Sequence, residues 1–260
     1  MSIDLKIPGT FNFRDFSEVN EIDGPSFKQR QLVRGGFLSA VTDSGLATLD
    51  EYGIKTVIDL RSPNETVIFP DRLSSQMRYL KIPVFDDDPT SSTMSDKEIK
   101  RLYADDDQFG YNRMLRSYRK MVIDPHAIAA YQDFFEAIIT YAEKGGILFH
   151  CSAGKDRTGF CSYLLLAVLG VSEQANREFY LASNHASTDR IKWRLDQAKK
   201  EHLGRCFVQS VHDLVVVKKA YIEQAVSLIN DQFGGINAYV TDTIGLTDSM
   251  IESLKQVLIK

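Results

Sequence analysis

One stretch limits what this chain can fold into more than any other: Gly146-Ile147-Leu148-Phe149-His150-Cys151-Ser152-Ala153-Gly154-Lys155-Asp156-Arg157-Thr158-Gly159-Phe160-Cys161. Apolar, β-prone residues run into His150 and Cys151, and a short polar loop containing a glycine follows. After Arg157 an apolar helix is predicted from about Thr158 to Leu169. The order is buried strand, tight loop, helix. A loop that winds into a helix N-terminus aims several backbone N–H groups at one point and adds the positive end of the helix dipole, so it attracts an anion. Cys151 sits where that field is strongest, and a thiol there ionises well below its usual ~8.5. Arg157, on the far side of the loop, can fork two N–H donors onto an oxyanion of phosphate geometry. With His150, Gly154 and Thr158-Gly159 included, this pattern arises by chance in roughly one such chain in ten thousand. The residues describe a phosphate cradle with a thiolate at its base.

Composition leaves room for that chemistry and closes other routes. The chain has 260 residues and a net charge of −4, so no global basic field favours nucleic acid, and any anion site must be local. No apolar run reaches the ~20 residues of a membrane span. The opening Met1-Ser2-Ile3-Asp4 lacks the pattern of a signal peptide. Three cysteines with no Cys-x2-Cys pair argue against a disulfide framework or a zinc site, so no metal is expected. No Gly-rich nucleotide fingerprint or internal repeat is present, and no cofactor is expected. A reactive thiolate suits a reducing cytoplasm, the expected location.

The rest of the chain reads as one α/β domain over residues 1–260. Short β-prone pieces fill residues 1–42, including Gln31-Leu32-Val33-Arg34. Ser44–Tyr52 has helical spacing and stops at Gly53; Thr56–Leu60 and Arg78–Val84 read as buried strands. Strand, helix, strand order predicts a central sheet flanked by helices, with ligands at the C-terminal strand ends, where Arg61 and Cys151 fall. Phe85–Asp107 is acidic and Ser/Thr-rich. Residues 96–104 and 111–122 look helical and carry Arg101, Arg113, Arg116, Arg119 and Lys120, read either as a solvated face or as part of a lid inserted at about 90–123. Helices are predicted at 125–144, 172–183, 189–200, 214–233 and 247–258, giving a helical C-terminal half. Trp193, Tyr221 and Cys161 are read as core.

At the cradle the sequence resembles the cysteine-dependent protein tyrosine phosphatases, and its Lys155-Asp156-Arg157 variant is similar to bacterial tyrosine and phosphoinositide phosphatases. Phe11-Asn12-Phe13-Arg14-Asp15-Phe16 and Val57-Ile58-Asp59-Leu60-Arg61-Ser62 with Glu65 resemble two further motifs of that group. The likeness runs from about residue 7 to the C-terminus. It implies a phosphatase-like fold and a phosphorylated protein or phosphoinositide as substrate. Among such relatives are exported proteins without obvious signals. Oligomeric state is not legible in the sequence.

On this reading a phosphomonoester docks on the amides of Ser152, Ala153, Gly154 and Lys155 up to Arg157, and Cys151 attacks phosphorus to form a thiophosphoryl intermediate. Arg157 holds the equatorial oxygens, and Thr158 offers its hydroxyl to the sulfur. His150 orients the loop. An acid must protonate the departing oxygen. Asp156 is one candidate, a carboxylate inside the loop beside a thiolate and a bound dianion. Asp86, three residues after Pro83, is the other by its likeness to the phosphoinositide phosphatases, with Asp87 as its neighbour. Lys155 goes with phosphoinositide hydrolysis in relatives. Arg61 is expected to bind substrate or brace the loop, and Arg14 and Asp15 to form an ion pair near the site. A sulfurtransferase would leave the acids and Arg-Thr-Gly without purpose, and a non-catalytic phosphate-binding module would not need the thiolate.

Overall fold

Strand β5 (Gly146–His150) is buried along its whole length at the middle of the protein. We describe the chain from a computed structural model covering residues 5–19, 21, 24–86 and 96–260, the last segment with side chains from residue 100 onward. Five strands form one sheet in the order β1-β2-β5-β3-β4. Strands β2 (Leu32–Gly35) and β3 (Ile54–Asp59) flank β5 in parallel, β4 (Arg78–Lys81) extends β3 in parallel, and β1 (Arg14–Asp15) closes the other edge antiparallel. The register sets Gly35 and Asp59 opposite His150, so three strands end at one level just below Cys151. Parallel strands need both faces covered, and the apolar residues alternate accordingly. Ile147 and Phe149 join the large core, whereas Leu148 joins Val33, Val57 and Leu49 on the opposite face.

That second face is covered by α1 (Asp43–Tyr52), capped by the Thr42 hydroxyl on Gly45 N–H and ended by Gly53 in the left-handed region. The short α2 (Pro63–Ile68) starts with proline at its first turn and a capping box in which Ser62 and Glu65 satisfy each other's ends. The remaining helices are α3 (Asp96–Asp105), α4 (Phe109–Ile123), α5 (Pro125–Tyr141), α6 (Arg157–Val168), α7 (Glu173–Ala186), α8 (Thr188–Lys200), α9 (Arg205–Val215), α10 (Lys219–Phe233), the single turn α11 (Ile236–Ala238) and α12 (Asp248–Leu258). Helix α6 is buried from Arg157 to Leu166 and lies in the large core. Its Phe160, Leu164, Leu165 and Leu166 are fully buried, each contributing roughly 2 kcal/mol. No helix among the described residues is long and apolar enough to cross a membrane.

Three expectations change. The helix predicted over 214–233 is two helices, α9 and α10, joined by extended backbone at Val216 and Lys218. There the Asn184 side chain accepts from Val217 N–H and donates to Val217 C=O, satisfying both peptide groups where the chain turns. Trp193 is 54% exposed, because α8 has few apolar residues to bury, whereas Tyr221 is core as expected. The stretch read either as a solvated face or as part of a lid divides. Helix α4 puts Met114, Tyr118, Met121 and Val122 into the main core, so it belongs to the body of the domain. Its Arg116, Arg119 and Lys120 face solvent, while Arg113 is buried and donates to the Tyr103 hydroxyl at 2.8 Å. Tyr103 of α3 belongs to a small separate cluster with Ala198, Phe207 and Val211.

Candidate active site

The loop between β5 and α6 is held from behind by its carbonyls. Asn12 Nδ2 donates to Ala153 O at 3.0 Å and to Gly154 O at 2.8 Å. Arg34 Nη2 donates to the same Gly154 O at 2.7 Å, and its Nη1 reaches Ser162 Oγ on α6 at 3.1 Å. His150 Nδ1 lies 3.2 Å from Cys151 O, and Phe37 N–H points at Ser152 O at 3.5 Å. A trans peptide carries its C=O and N–H in opposite directions, and the chain has no cis bond among the described residues. Carbonyls pinned from Cys151 to Gly154 therefore turn the N–H groups of Ser152, Ala153, Gly154 and Lys155 the other way, toward the concave side. The glycine is required here. Gly154 has φ +65°, and a Cβ on it would lie 2.2 Å from Gly35 O.

Cys151 is 1% exposed at the base of this ring. Burial alone pushes its thiol up, but the Arg157 charge and the hydroxyl and N–H of Thr158 outweigh burial and the opposing Asp156 carboxylate, so the net shift is down. Thr158 is fully buried, and its hydroxyl acts on the Cys151 sulfur as one of the groups that hold the thiol down. Cys161, one turn further on, moves the opposite way because burial dominates there. The two sulfurs lie on one strand–loop–helix unit, and their surroundings set them apart.

Arg157 presents its fork to Glu65, Nη1 at 2.5 Å from Oε2 and Nη2 at 2.9 Å from Oε1. Ser152 Oγ donates to the same Oε1. Burial would raise the Glu65 carboxyl, yet these bonds, with that from Ser62 N–H, hold it down at about 2. A carboxylate carried by α2 thus fixes the plane of the guanidinium.

Beneath the loop lies a second set of charges. Arg61 is 1% exposed and donates to both Asp59 oxygens, to Phe69 O at 2.7 Å, and pairs with Asp71 Oδ2 at 2.8 Å. Asp59, Asp71 and Phe69 O take up its guanidinium, an arrangement in keeping with the bracing role, one of the two expected of it. His150 Nε2 lies 3.0 Å from Asp71 Oδ2. Burial pushes His150 down, but Asp59 and Asp71 together raise it, favouring the charged ring. Asp59, Asp71 and His150 are close enough to share an ion, but the cation among the two carboxylates is the Arg61 guanidinium. Arg14 and Asp15 do not meet as expected, because adjacent strand residues point to opposite faces. Arg14 donates to Phe179 O and Ser183 Oγ on α7, while Asp15 accepts from Ser17 N–H, Arg30 N–H and the Tyr52 hydroxyl.

The two acid candidates have unlike settings. Asp156, whose side chain is 21% exposed, accepts from the Tyr118 hydroxyl at 3.1 Å and from Lys155 Nζ at 2.8 Å. Lys155 is itself buried, its ammonium also reaching Val216 O, so its charge is directed at Asp156 and not at solvent. Asp86 has a side chain 79% exposed and lies 3.4 Å from His126 Nδ1; Asp87 lies outside the described residues.

Sequence reasoning placed Asn12 and Glu65 in motifs of the resemblance without giving either a role at the loop, and it missed Arg34, Tyr118 and Tyr180 as contributors to this site. A cation inside the apolar run Leu32–Gly35 was the readable signal for Arg34, and the capping-box position was that for Glu65. The tyrosines carried none, since aromatics at helical spacing read as core.

With the geometry in view, comparison with known proteins is decisive. The model of a tyrosine phosphatase family matches residues 5–260. The chain belongs to the tyrosine phosphatase family. It is a phosphatase. It is 26% identical over 279 aligned positions to the triple specificity protein phosphatase PtpB of Mycobacterium tuberculosis, covering 98% of each chain. It is 30% identical over 238 positions to a tyrosine-protein phosphatase of Nostoc commune, covering 86% of this chain and 72% of that one. Among solved structures it is similar to Pseudomonas aeruginosa TpbA, with a TM-score of 0.35 and 14% identity over 71% of this chain and 85% of that one.

Proposed function

We propose that this phosphatase hydrolyses phosphotyrosine through a Cys151 thiophosphoryl intermediate, with phosphoserine, phosphothreonine and phosphoinositides as further substrates. The observation that carries the reading is the lowered Cys151 thiol at the centre of a ring of main-chain N–H groups, with the Arg157 fork beside it. A phosphate dianion takes the ring, the amides of Ser152 to Lys155 and Arg157 hold its equatorial oxygens, and sulfur attacks in line. Asp156 gives a proton to the departing oxygen in the first step and takes one from water in the second. Its place in the loop, near enough to Cys151 for its charge to act on the sulfur, favours it over the solvent-exposed Asp86. Thr158 donates to the sulfur as it leaves. The wider substrate range rests on Lys155 and on the printed name of the mycobacterial relative, a triple specificity phosphatase.

The test is turnover of p-nitrophenyl phosphate, its inhibition by vanadate, and both again in Cys151→Ser. Turnover is expected to vanish in the variant while the oxyanion still binds. Turnover that survives rejects the nucleophile. Phosphopeptides and inositol phospholipids assayed side by side then rank the substrate classes.

A further inference from the structure

The Asp156 carboxylate is the end of a directed chain of hydroxyls. Tyr118 on α4 donates to Asp156 Oδ1 at 3.1 Å, and its oxygen lies 2.7 Å from that of Tyr180 on α7. A phenol has one proton to give. Tyr118 spends its proton on Asp156 Oδ1, so between the two phenols Tyr180 is the donor. Both side chains are buried, 0% and 1% exposed, and burial with the neighbouring carboxylate pushes both phenols well above their usual range, so they remain donors. Their rings pack edge to face, and Tyr118 also lies against Tyr221 at 5.8 Å. Phenylalanine at both positions would fill that space without burying two hydroxyls. The hydroxyls have a purpose only at the far end of the chain, on Asp156.

We propose that Tyr118, backed by Tyr180, is a positioning residue of the phosphatase reaction, holding the Asp156 carboxyl in the orientation from which it exchanges a proton with the departing group. Lys155 Nζ, 2.8 Å from each carboxylate oxygen, completes the hold from the loop itself. Helices α4 and α7 thus extend the catalytic unit well beyond the loop. The inference rests on Asp156 as the proton donor, and it deepens that reading.

The experiment compares wild type, Tyr118→Phe, Tyr180→Phe, Asp156→Asn and Tyr118→Phe/Asp156→Asn on p-nitrophenyl phosphate, a good leaving group, and phenyl phosphate, a poor one. For Tyr118→Phe, kcat on phenyl phosphate is expected to fall roughly tenfold, the loss of one hydrogen bond to a charged group. On p-nitrophenyl phosphate it falls less than about threefold, with KM and vanadate inhibition unchanged, because a proton is needed least there. Tyr180→Phe shows the same pattern more weakly, and the double variant is no slower than Asp156→Asn alone. If Asp156→Asn shows the leaving-group dependence and both tyrosine variants match wild type, the positioning role is wrong and the acid assignment stands. If Asp156→Asn slows both substrates alike, the acid assignment fails and takes this inference with it. Equal slowing of both substrates with weakened vanadate binding in Tyr118→Phe would show a merely structural hydroxyl and overturn the proposal. Should that variant not fold, Tyr180→Phe carries the same comparison.

Discussion

Gly154→Ala should disable the cradle while leaving the fold standing, and the structure shows by how much. The new Cβ would lie 2.2 Å from Gly35 O, 2.4 Å from Gly35 C and 2.7 Å from Gly36 N. Real Cβ contacts essentially never fall under 3.0 Å, and all three neighbours are backbone of β2 and its exit, which cannot swing aside. The loop must therefore retreat by about 0.8 Å, the shortfall from that limit. The left-handed φ adds about 1–2 kcal/mol for any L-residue. Retreat also strains the bonds from Asn12 and Arg34 to Gly154 O, and a buried guanidinium losing its acceptor costs about 1.5–3 kcal/mol. Relaxing the loop is cheaper than bearing that sum, so the expected result is a folded protein whose N–H ring has dispersed. Misplacement by about 1 Å in a catalytic site can cost about a hundredfold. We expect kcat/KM on p-nitrophenyl phosphate to fall at least a hundredfold and vanadate inhibition to weaken in parallel. Gly53→Ala is the control. It has φ +95° with nothing within 4 Å, so it incurs the backbone penalty alone: about 1–2 kcal/mol, or about 2–8 °C in Tm, with activity unchanged. If Gly154→Ala keeps vanadate inhibition and turnover within threefold of wild type, the argument that pinned carbonyls build the anion site is refuted.

Two further predictions concern titration. Glu65, held near 2 against an ordinary value of 4.5, contributes roughly 3 kcal/mol that is fully present above pH 4.5 and is lost as pH falls toward 2. Urea unfolding of wild type should therefore weaken across that window, and Glu65→Gln should flatten this part of the curve; an unchanged curve in the variant would sever the Arg157 pairing from stability. Thr158→Val removes one of the donors that lower the Cys151 thiol, so the midpoint of iodoacetamide alkylation against pH should move up while Cys151 remains the labelled residue. A midpoint identical to wild type would remove the hydroxyl from the set of groups that stabilise the thiolate.

What could be read directly from the chain was local. The strand, the nucleophile, the loop glycine, the arginine and the helix after it are contiguous, and their chemistry follows from spacing within sixteen residues. Backbone handedness demands Gly154, and apolar runs of strand and helix length on either side place the turn between them at a sheet end. Helix signals held where the cap was explicit, as at Ser172 and Thr247, whose side chains each accept from the first turn. They failed at Val216, where the break depends on Asn184, a residue distant in sequence.

Only the tertiary structure decided what surrounds the loop. Asn12, Arg34, Glu65, Tyr118 and Tyr180 come from the segment before β1 and from four different elements, and the sheet order β1-β2-β5-β3-β4 brings the first three to one strand end. The same folding set Arg61 between two buried carboxylates, Asp59 and Asp71, the second of them on no strand. Residue types within a short segment determine which bonds can be made; which distant donor makes each one is set by packing, because hydrogen bonds and ion pairs act over a few ångströms and only a folded core fixes positions that finely.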